Sequence, residues 1–155
     1  GGGSDVQTAP LNLEVSHVPG HTLGHIAFHL TDYGVAFTGD LIFPLGCGRL
    51  FEGDAIQCWE AMQRTLFRWP GGTQIFAAHE YATDGIQFAL SRPPQDLCSR
   101  EALAARARSI VALRAEKRPT VPFLLRTEAE TNPFVRAGSG EEFKRLREQR
   151  NGFSV

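Results

Sequence analysis

Four of the five histidines in this 155-residue chain, His17, His21, His25 and His29, lie within thirteen consecutive positions, and the fifth is His79. Imidazole ligates metals and moves protons at neutral pH, so such a cluster asks for a chemical reading. On a helix, four-residue spacing would line up one metal-binding face. Pro19, Gly20 and Gly24 interrupt the run, so a strand-turn-strand path is expected and the rings scatter. One of the four, His21, has a context that suits ligation. It follows Val18-Pro19-Gly20, a tight bend after an apolar run. Asp40 ends Phe37-Thr38-Gly39-Asp40, and His79 ends Ile75-Phe76-Ala77-Ala78-His79. A carboxylate at the end of a buried run needs a compensating partner, and a metal ion is one. Each of the three taken singly is more often structural. Placed at the ends of three apolar runs, they read together as a metal site. Cys47, between two glycines, reads as a packed turn residue, because only Arg49 nearby favours a thiolate.

The elements that must position these groups are legible in outline. Leu11, Leu13 and Val15 alternate with polar neighbours, as in a half-buried strand, and Ile26, Phe28 and Leu30 repeat the pattern. Val35 to Thr38 and Gln74 to Ala78 read as short buried strands, with Asp32-Tyr33-Gly34 a hairpin-like connection between the second and third runs. Asp54 is expected to cap a helix from Ala55 to Phe67 with Ile56, Trp59, Met62 and Leu66 inward, ended by Pro70-Gly71-Gly72. Trp59 and Trp69 are expected to be core or partly buried. Thr83 is expected to cap a helix to about Ser91, stopped by Pro93-Pro94. Ser99 is expected to cap another to about Lys117, with Leu103, Ala107, Ile110 and Val111 on one side. Pro119 and Pro122 then break the chain. Ser139 with Glu142 forms a capping-box signature before a last helix to about Arg150.

Composition bounds the function. Apolar residues at 42% and charged residues at 21% match a globular chain and exclude a disordered tail or fibrous repeat. Lys and Arg total 16 against 17 Asp and Glu, a net charge of -1, which argues against bulk capture of nucleic acid or an anionic membrane. Cys47, Cys58 and Cys98 form no CxxC pair, so a reducing, cytoplasmic setting is expected. No apolar run approaches the ~18 residues of a membrane span, and without a basic stretch followed by an apolar one at the start, no signal peptide is expected. Gly1 to Ser4 reads as a linker or a native glycine-rich turn.

The motifs and their order resemble a known family. Pro19-Gly20-His21-Thr22-x-Gly24-His25, Thr38-Gly39-Asp40, Gly46-Cys47-Gly48-Arg49-x-Phe51-Glu52-Gly53, His79-Glu80-Tyr81 and Asn132-Pro133-Phe134-x-Arg136 are similar to glyoxalase II. This is hydroxyacylglutathione hydrolase, of the metallo-β-lactamase superfamily. The resemblance implies an α+β fold: the C-terminal half of the αββα sandwich over residues 1–92, then a small helical domain over 93–155. It implies a two-zinc thioesterase that hydrolyses S-D-lactoylglutathione to D-lactate and glutathione. His21 would ligate one zinc, His79 the other, and Asp40, the catalytic carboxylate, would bridge them. Arg49, Phe51, Tyr81, Arg147 and Arg150 would contact glutathione. Phe51 stands where many members have tyrosine, so one hydroxyl contact is lost. Without the resemblance, Arg147 and Arg150 read as exposed cations in the last turn of a helix, favoured there by its dipole.

One departure is large. Complete members carry a THxHxDH motif in their first half, which supplies four more zinc ligands, and no HxH or DH occurs here. The expectation is an incomplete, inactive fragment, a chain completed by a separate one carrying the missing half, or a non-catalytic glutathione-binding or interaction domain. A persulfide dioxygenase relative, with one iron, is the remaining alternative, disfavoured by the NPFxR segment and the basic last helix.

Overall fold

The computed structural model describes residues 11–92 and 100–153. The expectations for Gly1 to Ser4, Pro93-Pro94, Cys98 and the Ser99 cap lie outside these residues, and the division after residue 92 falls against them.

Five strands form one sheet, in the order β1 (Leu13–His17), β2 (Ile26–Leu30), β3 (Val35–Gly39), β6 (Gln74–Ala77) and β7 (Phe123–Leu124). The first three run antiparallel as a meander, with Phe28 opposite Val15 on one side and Phe37 on the other. Thr31–Tyr33 forms a single 3-10 turn between β2 and β3. β6 lies parallel to β3. The intervening crossover carries a two-stranded hairpin, β4 (Ile42–Phe43) with β5 (Gly46–Cys47), and the helix α1 (Ala55–Leu66).

The alternation in β2 and β3 divides the sheet into two unlike faces. Ala27, His29, Ala36, Thr38 and Ile75 are buried under α1 and the C-terminal helices. Leu13, Val15, Ile26 and Phe37 project from the other face and are exposed. The period-2 reading of residues 11–15 thus holds for the strand, which starts at Leu13, and fails for its burial. Leu11, Leu13 and Val15 are each about half exposed.

Asp54 caps α1, its carboxylate accepting a hydrogen bond from the Gln57 amide at 2.9 Å. The buried face differs from expectation. Ala55, Cys58, Ala61, Met62, Thr65 and Leu66 point inward, while Ile56 is exposed. Smaller side chains let α1 approach both the sheet and the last helix, and Trp59 instead reaches across to donate to the Ala137 carbonyl at 2.9 Å. Trp69 is buried against His29.

After β6, the helix α2 (Ala82–Leu90) begins one residue before the expected Thr83 cap, with Tyr81 at the N-cap and no side-chain cap bond. α3 (Arg100–Ala115) buries Leu103 and Ile110, whereas Val111 is exposed. The Pro119–Pro122 break leads through a cis Val121–Pro122 peptide into β7, which pairs with β6, and then into α4 (Leu125–Thr131). Neither β7 nor α4 was legible as an element. α5 (Gly140–Asn151) starts at the expected cap, where the Ser139 hydroxyl accepts from the Glu142 amide at 3.2 Å. The reciprocal bond goes one residue upstream, from the Gly138 amide to the Glu142 carboxylate.

Candidate functional site

The site begins with how the backbone delivers Asp40. β3 ends at Gly39, whose φ of 53° lies in the left-handed region, and a Cβ there would meet the His25 ring at 2.7 Å. The chain turns out of the sheet at that point, leaving Asp40 at its edge. Gly48 then passes so close that its amide donates to the Asp40 carbonyl at 3.0 Å, and a Cβ would stand 2.1 Å from that oxygen. Two glycines therefore hold the carboxylate between β3 and the Gly46–Arg49 segment.

Asp40 divides its carboxylate between two imidazoles. Oδ2 lies 3.6 Å from His21 Nε2, and Oδ1 lies 3.4 Å from His79 Nε2. His21 Nδ1 is 2.8 Å from the Arg49 carbonyl oxygen. A carbonyl only accepts, so Nδ1 carries the proton, and in the neutral ring Nε2 turns a lone pair toward Asp40. Lone pair facing carboxylate is repulsive unless a cation lies between them. Two donors about 2.0–2.1 Å from one tetrahedral zinc stand roughly 3.3–3.4 Å apart, close to both separations. A backbone carbonyl on the far imidazole nitrogen is also the usual support of a metal-ligating histidine. The donor set therefore fits a divalent ion at each oxygen. Among the described residues, no three His, Cys, Asp or Glu side chains converge on a single ion. Each oxygen with its imidazole is a two-donor half-site.

The other histidines are occupied elsewhere. His17 Nε2 lies 2.7 Å from the Leu23 carbonyl oxygen, and His25 Nε2 lies 3.1 Å from that of Thr38. His29 packs on Trp69 beside Glu14.

Around Asp40 opens a pocket of about 520 Å³. All eight residues singled out in the sequence line it: His21, Asp40, Arg49, Phe51, His79, Tyr81, Arg147 and Arg150. The pocket joins the ends of β3 and β6, the start of α2 and one side of α5. His79 is steered by its neighbours. Tyr81 stacks on it with ring centroids 5.0 Å apart, and Phe43 wedges against both rings. Glu80 turns the other way, accepting from the Thr120 amide at 2.8 Å and its hydroxyl at 2.5 Å. This fastens the turn that carries His79.

The two C-terminal arginines are not alike. Arg147 is buried rather than an exposed helix-end cation. It donates to the Cys47 carbonyl at 3.0 Å and to Asn151 Oδ1 at 2.6 Å. Arg150 is partly open. Its guanidinium lies near the Phe88 and Phe153 rings and 3.8 Å from Asp84. Burial raises the Cys47 thiol to about 11, against the pull of Arg147, so it is a poor nucleophile at neutral pH, as the packed-turn reading holds.

Three contributors escaped the sequence. Phe43 and Asp84 line the pocket. Glu128, fully buried, accepts from the Leu45 amide at 2.8 Å, Arg106 at 2.9 Å and Asn132 at 3.0 Å. Asn132 donates onward to the Phe43 and Gly46 carbonyls. Burial raises the Glu128 carboxyl above its usual value, opposed by Arg106 and the other donors. For Phe43 and Asp84, the proximity of each to a proposed ligand in sequence was the available signal.

Residues 80–153 match the family described as "Hydroxyacylglutathione hydrolase C-terminus". A hydroxyacylglutathione hydrolase of Hyphomonas neptunium is 46% identical over 136 residues, covering 88% of this chain and 51% of that protein. The crystal structure of ETHE1 from Myxococcus xanthus superposes with a TM-score of 0.61 at 26% identity, over 96% of this chain and 50% of that one. A metallo-β-lactamase from Staphylococcus aureus subsp. aureus COL gives 0.54 at 19% identity, over 98% and 45%, a likeness of fold alone. The chain thus carries part of the metallo-β-lactamase αββα sandwich, followed by a helical extension. By these likenesses it resembles the C-terminal part of glyoxalase II, or hydroxyacylglutathione hydrolase, proteins. It spans about half the length of the curated relatives it matches.

Proposed function

We propose that this site serves hydrolysis of a glutathione thioester, S-D-lactoylglutathione to D-lactate and glutathione. The observation that carries the reading is Asp40, shared between His21 and His79 at the floor of a pocket that also holds three arginines. Zinc bound at such paired positions would supply activated water and polarise the thioester carbonyl. The chain's own residues hold and orient. His21, fixed by the Arg49 carbonyl, presents Nε2. Asp40 supplies negative charge to both sides, and His79 is aimed by Tyr81 and Phe43. Guanidinium groups suit the tripeptide's carboxylates, because their planar fork matches a carboxylate in a bidentate way. Arg49 and Arg150 are open to do this, and Arg147 backs the wall beside Cys47. Phe51 and Tyr81 supply apolar surface, with one hydroxyl between them.

A catalytic zinc takes three protein ligands and an open position. Each half-site here offers two donors. The 155 residues by themselves are therefore expected to hold zinc loosely and to turn over little, and a full site needs further donors from additional polypeptide. The glutathione contacts need no such completion, which supports binding without turnover as the behaviour of this chain alone.

The test is hydrolysis of S-D-lactoylglutathione by the purified chain with excess zinc, beside a chelated control. Negligible turnover is expected. Chelator-sensitive turnover at ~1–10³ s⁻¹, the range of ordinary enzymes, would overturn the donor count. Restored turnover on adding a polypeptide that carries the THxHxDH motif would support it.

A further inference from the structure

We propose that His25 is a positioning residue: its ring ties the loop that carries His21 to the turn that carries Asp40, and so sets the separation of those two groups. The inference rests on the metal reading of His21, Asp40 and His79 and deepens it.

His21 and Asp40 stand on different loops. His21 lies in the β1–β2 connection, whose base is closed by the Val18 amide donating to the His25 carbonyl at 2.9 Å. Asp40 lies in the turn after β3, closed by the Leu41 amide donating to the Thr38 carbonyl at 2.9 Å. Donors to one ion must be held within ~0.5 Å of their working positions, so the two loops have to be fixed to each other. The Gly48–Arg49 segment links them once, through the Gly48 amide on the Asp40 carbonyl and the Arg49 carbonyl at His21 Nδ1. His25 supplies a second link.

Three contacts place the His25 ring. Its Nε2 lies 3.1 Å from the Thr38 carbonyl oxygen. A carbonyl only accepts, so Nε2 carries the proton. The Thr38 carbonyl then takes two donors, one from within the turn and one from the other loop. The ring also lies against Gly39, where a Cβ would come within 2.7 Å of Cε1. Finally, it meets the His21 ring edge to face, with centroids 5.9 Å apart and planes at 75°. His17 makes no such crossing, since its Nε2 meets the Leu23 carbonyl of its own loop. A ring that merely filled space could be exchanged for another of similar size. A ring that positions through its N–H could not.

The test uses the 155-residue chain, zinc as the probe, and the variants His25→Phe and His25→Gln. Phenylalanine keeps a ring and loses the donor, whereas glutamine loses the ring and keeps an amide donor of similar reach. Zinc affinity is read from the NMR shifts of the His21 and His79 rings, and stability from the urea midpoint. His25→Phe is expected to weaken zinc about five- to tenfold, and His25→Gln to recover most of the wild-type affinity, whatever either does to the midpoint. Nitrogen-15 shifts of wild-type His25 are expected to show the Nε2–H tautomer. Wild-type zinc affinity in His25→Phe, equal losses in the two variants, or an Nδ1–H tautomer would each overturn the positioning role and leave the metal reading standing. Should His25→Phe fail to fold, the tautomer and His25→Gln decide, and loss of zinc in the glutamine variant refutes the role. If the wild type shows no zinc response at either ring, the metal reading fails and the positioning role fails with it.

Discussion

At the scale of single residues, Asp40 is the most informative side chain, because among the described residues it alone pairs with both His21 and His79. Replacing it with alanine is expected to abolish the zinc-induced NMR shifts of the His21 and His79 rings together, even where wild-type binding is weak. A ring that still responds to zinc in Asp40→Ala would show that the half-sites do not share this carboxylate. The two C-terminal arginines should separate in the same spirit. Arg147→Ala strands the buried Cys47 carbonyl and removes the donor to Asn151, and is expected to cost about 2–3 kcal/mol in urea unfolding. Arg150→Ala, at a side chain about one-quarter exposed and partly open to the pocket, is expected to stay within about 1 kcal/mol of wild type in stability while weakening a glutathione thioether. Equal stability losses would mean that the packing of Arg147 has been misread. Cys47 is protected by burial, with its thiol pushed up to about 11. A raised thiol value means less thiolate at any pH below it. Site-resolved alkylation at pH 8 should therefore leave Cys47 unlabelled until the chain is unfolded.

At the scale of elements, the C-terminal segment builds the wall of the pocket from behind. Leu45 sits at a φ of 60°, a costly conformation for a branched residue, in the link between β4 and β5. Its amide is held by Glu128 of α4, and Asn132 clasps the carbonyls of Phe43 and Gly46 on either side. The hairpin that presents Phe43 and Cys47 to the pocket is thereby bolted to a helix more than eighty residues away. Glu128→Ala would leave the Arg106 guanidinium, the Leu45 amide and Asn132 without their buried acceptor, at an expected cost of roughly 3–5 kcal/mol. Glu128→Gln keeps one acceptor oxygen and should lose less. Denaturant unfolding of the two variants measures the difference, and equal, small losses would show that the hairpin does not depend on this anchor.

At the scale of the whole molecule, among the described residues, the sheet has one covered face and one bare one. Leu13, Val15, Ile26 and Phe37 lie together on the bare side, next to the open edge of β1. An apolar face of that kind beside an unpaired edge promotes association. The isolated chain is expected to self-associate in sedimentation measurements, and Phe37→Glu is expected to reduce this without lowering the unfolding midpoint. Association unchanged by Phe37→Glu would place the sticky surface elsewhere. Among the described residues, no helix is long and apolar enough to cross a membrane.

Much of the site was legible in the residues themselves. Proline and glycine around His21, and apolar runs ending in Asp40 and His79, declare strands that stop where a ligand begins, because backbone restriction and hydrophobic pattern are local. The Asp54 and Ser139 caps are legible for the same reason, since a cap acts within one helical turn. What lies across the chain was not. That Ile56 is exposed while Cys58 is inward depends on how closely α1 meets the sheet and α5. That Arg147 is a buried strut rather than a helix-end cation depends on the Cys47 carbonyl, 100 residues away. Glu128 and Asn132 belong to the site's support only because folding brings α4 behind the β4–β5 hairpin. Local sequence determined which groups stand at the ends of the strands. Long-range packing decided which of them face one another, because burial and charge pairing are properties of neighbours that the chain order does not contain.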